Sequence, residues 1–145
     1  MVLYYNVRES SMDVDGSWDV NNVVVNKAID YAADINNINK SWLNSDYEKS
    51  PSYTPAIYTN SIFYDQIHNV RFHIVRPELA LCMKIIAFRG RRGKYDRADA
   101  HSLVALMRQN GIDVNMESII DWMETFYKPV PELSGLALGF IKSLG

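Results

Sequence analysis

Residues 61–88 read SIFYDQIHNVRFHIVRPELALCMKIIAF, and the change of pattern inside this stretch decides the fold class. Ser61 to Val75 gives two runs rich in β-branched and aromatic residues with His68-Asn69 between them, which predicts two strands joined by a turn. Pro77 and Glu78 then open a helix. Proline suits the first helical turn, where its missing N–H is not needed, and an acid there meets the positive end of the helix dipole. The helix is predicted to run to about Arg89 and to stop at Gly90. From Leu79 to Phe88 it is apolar on every side except at Lys84, the pattern of a buried helix.

Toward the C-terminus the pattern stays helical. The segment Arg89-Gly-Arg-Arg-Gly-Lys94 is a basic loop, and Asp96 to Gln109 is the next helix, ended by the C-cap pair Asn110-Gly111. A further helix is predicted from about Met116 to Tyr127, between Asn115 and Pro129. The last runs from Pro131 to Leu144, with Leu133, Leu136, Ala137, Phe140 and Leu144 on one stripe. Toward the N-terminus, Val24 to Ile35 reads as an amphipathic helix with Val25, Ala28, Ile29, Ala32 and Ile35 on one stripe. Met12 to Trp18 reads as a strand, and residues 2–7 (VLYYNV) fit a strand or a helix. Residues 36–55 are polar and mostly loop, with Trp42-Leu43-Asn44 as a local apolar anchor. The expectation is one α+β domain, with an α/β part at about 1–76 and a helical part at about 77–145.

The chain has 145 residues, 48% hydrophobic and 22% charged, with a formal net charge of −2. That is the composition of a globular domain with no global pull toward nucleic acid. No apolar run approaches the roughly 18 residues of a membrane span. The N-terminus lacks the basic and apolar regions of a secretory signal. The single Cys82 lies in an apolar helix pattern and is expected to be a buried, inert thiol in a reducing cytoplasm.

Two stretches carry candidate chemistry. Asp13-Val14-Asp15 places two carboxylates on one face of a strand, where four oxygens suit a hard cation such as Mg²⁺. Asp-x-Asp also arises by chance, and Asp15-Gly16 is a common turn pair. Lys84 either reaches outward along its stem or faces a partner or an anionic ligand such as a phosphate. Arg89, Arg91, Arg92, Lys94 and Arg97 form a basic run that is either a solvated loop or a contact for triphosphate or nucleic acid. Asp96 and Asp99 fit an N-cap and a first-turn acid, with a place in a site open beside that. His68, His73 and His101 lack the spacing of a zinc site, and neither a phosphate-binding Gly-rich loop nor a Gly-x-Ser-x-Gly elbow is present.

Together these pieces resemble the nucleotidyltransferase-like superfamily, within it a group of small bacterial proteins related to AbiEii-type toxins of toxin–antitoxin systems. Arg8-Glu-Ser-Ser-Met-Asp13-Val-Asp15 looks like that group's Arg-x-Ser/Thr-x-Asp-Ile/Val-Asp strand with one extra residue. Trp42-Leu43-Asn44 looks like its Trp-Leu-Asn. Pro77-Glu78-Leu79 through Met83-Lys84, Ala87 and Arg89 looks like its PE-x-L…KL-x-A-x-R helix, and Asp96 with Asp99 like its following Asp-x-x-Asp. The resemblance implies a small mixed sheet with a helical C-terminal half, residues 2–8 as a short helix, and Mg²⁺ or Mn²⁺ held by Asp13 and Asp15. It implies a nucleotide site lined by Ser11, Lys84, Arg89, Arg92 and Asp96, with Asp13, Asp15, Lys84 and Asp99 as the catalytic set. The family's Gly-Gly/Ser turn would end where this chain begins, and a third carboxylate on a later strand has no counterpart in Val70 to Val75. The expected form is therefore one shortened at the N-terminus and poorer in metal or nucleotide binding.

The implied activity is metal-dependent transfer of a nucleoside monophosphate from an NTP to an RNA, protein or small-molecule acceptor. The alternative is an inactive domain of the same fold that works by binding a partner such as a cognate antitoxin, with Tyr and Trp of residues 42–64 at the interface.

Overall fold

The structure is a computed structural model that describes residues 14–18, 21–88 and 93–145, Gly93 and Lys94 by backbone alone. The chain is α+β. Its described residues form five α-helices, two two-stranded sheets and two 3-10 turns. Its contacts fall into two compact units that divide between Ser50 and Pro51, so the β-rich hairpin groups with the helices that follow it.

In the first unit, β1 (Val14–Asp15) and β2 (Leu43–Asn44) pair in parallel, Val14 opposite Leu43 and Asp15 opposite Asn44. Val14 N–H donates to the Trp42 carbonyl at 2.7 Å and Gly16 N–H to that of Asn44 at 2.9 Å. The strand expected over Met12 to Trp18 is thus limited, in its described part, to Val14 and Asp15. Its partner offers only two residues, and Gly16 to Trp18 leave the ladder. Helix α1 (Asn22–Asn36) begins at an Asn21 side chain that accepts from Val23 N–H, and ends at Asn37 in the left-handed region, φ 51°. Asparagine tolerates both positions because its short amide bonds to nearby backbone. Helix α1 buries Ile29 and Ala33 and half-buries Val25 and Ala32; Ala28 and Ile35, expected on the same stripe, are exposed. Trp42 Nε1 donates to the Ile29 carbonyl at 3.2 Å, which ties the apolar anchor to the helix.

The second unit is built on the quoted stretch. Strands β3 (Ser61–Ile67) and β4 (Val70–Val75) pair antiparallel, with an irregularity between Phe63 and Asp65. The turn falls at His68-Asn69, with His68 at φ 54°. Helix α2 (Pro77–Ile86) follows at once and buries Leu79, Ala80, Leu81, Cys82, Ile85 and Ile86. It packs against α3 (Gly93–Gln109), α4 (Met116–Phe126) and α5 (Gly135–Ser143), and so forms the centre of the core. Leu103 and Met107 from α3, Ile119 and Met123 from α4, and Phe140 from α5 complete it. Helix α3 stops at Asn110-Gly111, where Gly111 takes φ 79° without a Cβ penalty. Helix α4 starts in a capping box: Asn115 Oδ1 accepts from Ser118 N–H, and Asn115 N–H donates to Ser118 Oγ, each at 2.9 Å. The segment before the hairpin is fastened to the end of α4. Tyr127 OH donates to the Ser52 carbonyl at 2.6 Å, and Thr54 Oγ1 donates to that of Phe126 at 2.7 Å.

Three helix boundaries differ from the pattern reading by three residues or more. Helix α2 ends at Ile86, short of Arg89, with Ala87 as its C-cap. Helix α3 starts at Gly93, so Asp96 lies inside the first turn and is not the N-cap. Helix α5 starts at Gly135 instead of Pro131, because Ser134 caps it: its Oγ accepts from Ala137 N–H and donates to the Phe88 carbonyl. The buried side chains of α5 are therefore Ala137, Phe140 and Ile141, with Leu136 exposed.

Candidate functional site

Lys84 lies on α2 among side chains that are almost all apolar, and it does not reach out to solvent. Its Nζ donates to Asp96 Oδ1 at 3.1 Å and lies 3.1 Å from Asp99 Oδ2. The side chains of Lys84 and Asp96 are about a fifth exposed (21% and 19%), and that of Asp99 is 6% exposed. Asp96 and Asp99 are three apart on α3 and so share a face. The packing of α2 against α3 turns that face toward Lys84. A cation and two carboxylates drawn from two separate sequence motifs therefore meet at one point within the second unit. The ammonium donates a hydrogen bond to Asp96, while its contact with Asp99 is an ion pair by distance. With one positive and two negative charges the cluster carries a formal net charge of −1.

Of the other candidate positions, Asp15 alone lies among the described residues. Asp15 is exposed on β1, in register with Asn44, within the first unit. Ser11, Asp13, Arg89 and Arg92 lie outside the described residues, as do residues 2–8. Among the described residues no group of three or more His, Cys, Asp or Glu is placed to hold a metal ion. His73 faces Phe63 edge-on at 5.9 Å, and His101 stacks its edge on Phe140 at 4.8 Å, so both serve as aromatic partners.

Two clefts carry no motif that sequence reading finds. The first unit has a polar one of about 400 Å³, lined by Trp18, Asn26, Asp30, Lys40, Asn44 and Asp46. Its residues come from scattered segments of chain, and only the fold brings them together. The second unit has an apolar one of about 300 Å³ between α4 and α5, lined by Ile120, Met123, Val130, Leu133 and Leu138 among others. Ile120, Met123 and Leu138 are ordinary apolar positions of amphipathic helices, and Val130 and Leu133 come from the loop between them.

Cys82 is fully buried, one turn after Glu78 on α2. Burial, and then the nearby Glu78 charge, push its thiol well above the ordinary 9.0. Burial, and then Cys82, likewise raise the Tyr127 phenol above 10.0. Both groups hold their protons in the folded chain at pH values where the unfolded chain releases them. Stability is therefore intact below the unfolded values and falls as pH rises past about 9, by up to about 1.4 kcal/mol per pH unit for each group ionised only in the unfolded state. Urea unfolding followed from pH 7 to pH 10.5 is expected to show this decline, and Cys82→Ala is expected to remove the part that begins nearest 9. The native thiol should also resist an aromatic disulfide reagent at pH 8 and react once the chain is unfolded. A flat profile, or rapid native labelling, would contradict the assignment.

No helix among the described residues is long and apolar enough to cross a membrane. Compared with known proteins, the chain matches no family model, no curated protein and no solved structure.

Proposed function

We propose that this chain is a nucleotidyltransferase-like protein that takes an NTP with a divalent cation and transfers its nucleoside monophosphate to an acceptor hydroxyl, releasing pyrophosphate. The observation that carries the reading is the meeting of Lys84 with Asp96 and Asp99. These are the cation and the Asp-x-x-Asp that the family resemblance pairs in a nucleotide site, and they come from separate parts of the sequence.

In this reading Lys84 binds a phosphate oxygen, and Asp96 and Asp99 fix its position. Asp99 and Lys84 belong to the catalytic set, and Ser11, Arg89, Arg92 and Asp96 contact the nucleotide. Asp13 and Asp15 supply hard carboxylate oxygens of the kind Mg²⁺ or Mn²⁺ takes, and Asp15 is exposed. The cation, when bound, neutralises the triphosphate and makes its phosphorus easier to attack. Localisation in the cytoplasm and a cognate antitoxin as partner belong to the same reading.

Calorimetric titration of an NTP at fixed Mg²⁺ tests it. Lys84→Met, assayed at a temperature where circular dichroism reports full folding, is expected to weaken binding ten- to a hundredfold, the loss of a charge-assisted contact worth roughly 1.5–3 kcal/mol. Lys84→Arg should keep most of the affinity. Asp13→Asn with Asp15→Asn should abolish Mn²⁺ binding seen by water-proton relaxation. Equal NTP affinity in wild type and Lys84→Met would remove Lys84 from the site.

A second reading is an inactive domain of this fold that acts by binding a partner. It is favoured by the charge state of the cluster, since an ammonium already answered by two carboxylates offers a triphosphate little net attraction. Tyr58 and Tyr64 are exposed and suit an interface, whereas Trp42 is half-buried against α1. Absence of NTP and Mn²⁺ binding in the wild type would select this second reading.

A further inference from the structure

Helix α1 carries two apolar stripes. One, Ile29 and Ala33, is buried. The other is Val24, Ala28, Tyr31 and Ile35, roughly 150° around the helix at 100° per residue. Val24, Tyr31 and Ile35 are 65%, 68% and 65% exposed, and Ala28 is exposed beside them. Single exposed apolar residues are ordinary. Four in the alternating 4-3-4 spacing of a helix–helix seam are not.

We propose that this stripe is where a second copy of the chain docks, helix against helix and antiparallel, about a two-fold axis. The stripe is complementary to itself. Antiparallel pairing sets Val24 against Ile35 of the second copy, and Ala28 against its Tyr31, so that a small side chain meets a large one. The same register brings Lys27, at the edge of the stripe, to Asp34 of the second copy, and Asp34 to its Lys27. Two symmetric ion pairs then flank one seam. Parallel pairing would instead match Ala28 with Ala28 and Tyr31 with Tyr31, and would bring no opposite charges together. Within one chain Asp34 already meets Lys40 at 3.5 Å, with both side chains more than half exposed. An exposed contact of that kind contributes little, and docking can keep or exchange it. A seam of one 15-residue helix lies at the small end of specific interfaces, so the dimer is weak and depends on concentration. The proposal does not rest on the nucleotide reading.

Sedimentation of the full chain tests it. We expect the mass to rise from one copy toward two with a Kd of about 10–100 µM. Tyr31→Glu should abolish association. Lys27→Glu and Asp34→Lys should each weaken it about five- to tenfold by setting like charges across the seam, and the two together should restore it to about the wild-type value. Circular dichroism serves as the folding control for each variant. A wild-type chain that stays monomeric to about tenfold above that Kd overturns the proposal. So does a dimer that the double variant fails to restore, since the partner face would then lie elsewhere.

Discussion

Lys84→Met is expected to destabilise the second unit by about 2–4 kcal/mol, although it places an apolar side chain in an apolar helix. Were Lys84 merely reaching out to solvent, the change would be neutral. It instead removes the cation that lies 3.1 Å from both Asp96 and Asp99, and leaves two carboxylates side by side with Asp99 almost wholly buried. Losing one partner of a buried pair costs the remaining charge its compensation, whereas losing both partners does not. Lys84→Met combined with Asp99→Leu should therefore recover most of the loss, and Asp99→Leu alone should cost less than Lys84→Met because Lys84 keeps Asp96. Urea midpoints at constant slope measure all three. A neutral Lys84→Met would mean that the ion pairs do not hold α2 to α3.

Phe140→Ala should have the largest effect of any single core truncation on α5. Phe140 is 1% exposed and meets Phe88 edge-on at 5.3 Å and His101 at 4.8 Å. Truncating a buried aromatic costs about 3–5 kcal/mol through lost transfer energy and the cavity left behind, and edge-to-face partners add to that. In a domain of this size the thermal midpoint should fall by about 10–20 °C. Phe140→Leu, which refills most of the volume, should lose less than half as much. If Ala and Leu behaved alike, ring packing would not be what α5 contributes.

Much of the second unit was legible in the sequence because its signals are local. Pro77 and Glu78, the caps at Asn115 and Gly111, and the alternating hairpin each act within a few residues of themselves. Helix ends were less legible where a distant group sets them. Ser134 starts α5 because its hydroxyl also reaches the Phe88 carbonyl, 46 residues away, which no pattern around Pro131 reveals. On α1 the periodicity could not separate the two apolar stripes, since both follow the helical repeat and only packing decides which is buried. In the candidate site, Lys84 was visible as a lone charge in an apolar helix. Asp96 and Asp99 were visible as possible caps and as the Asp-x-x-Asp of the resemblance, but not as its ion-pair partners, because the α2–α3 contact that joins them is tertiary. The polar cleft of the first unit had no sequence signal at all.

The bonds from Tyr127 to Ser52 and from Thr54 to Phe126 span 75 and 72 positions of chain. Closing a loop of that length costs roughly 4 kcal/mol of chain entropy, about 0.4 kcal/mol more than the 46-position closure from Ser134 to Phe88. During synthesis the segment that holds Ser52 and Thr54 leaves the ribosome first and has no anchor until α4 follows. At about 5–20 residues per second that interval is roughly 4–15 s. Through it the β3–β4 hairpin, whose Phe63, Tyr64, Ile67, Val70 and Phe72 remain exposed even in the finished fold, waits with one end untethered. The nascent chain is thus most open to chaperones, or to a wrong strand partner, in the seconds before Tyr127 emerges.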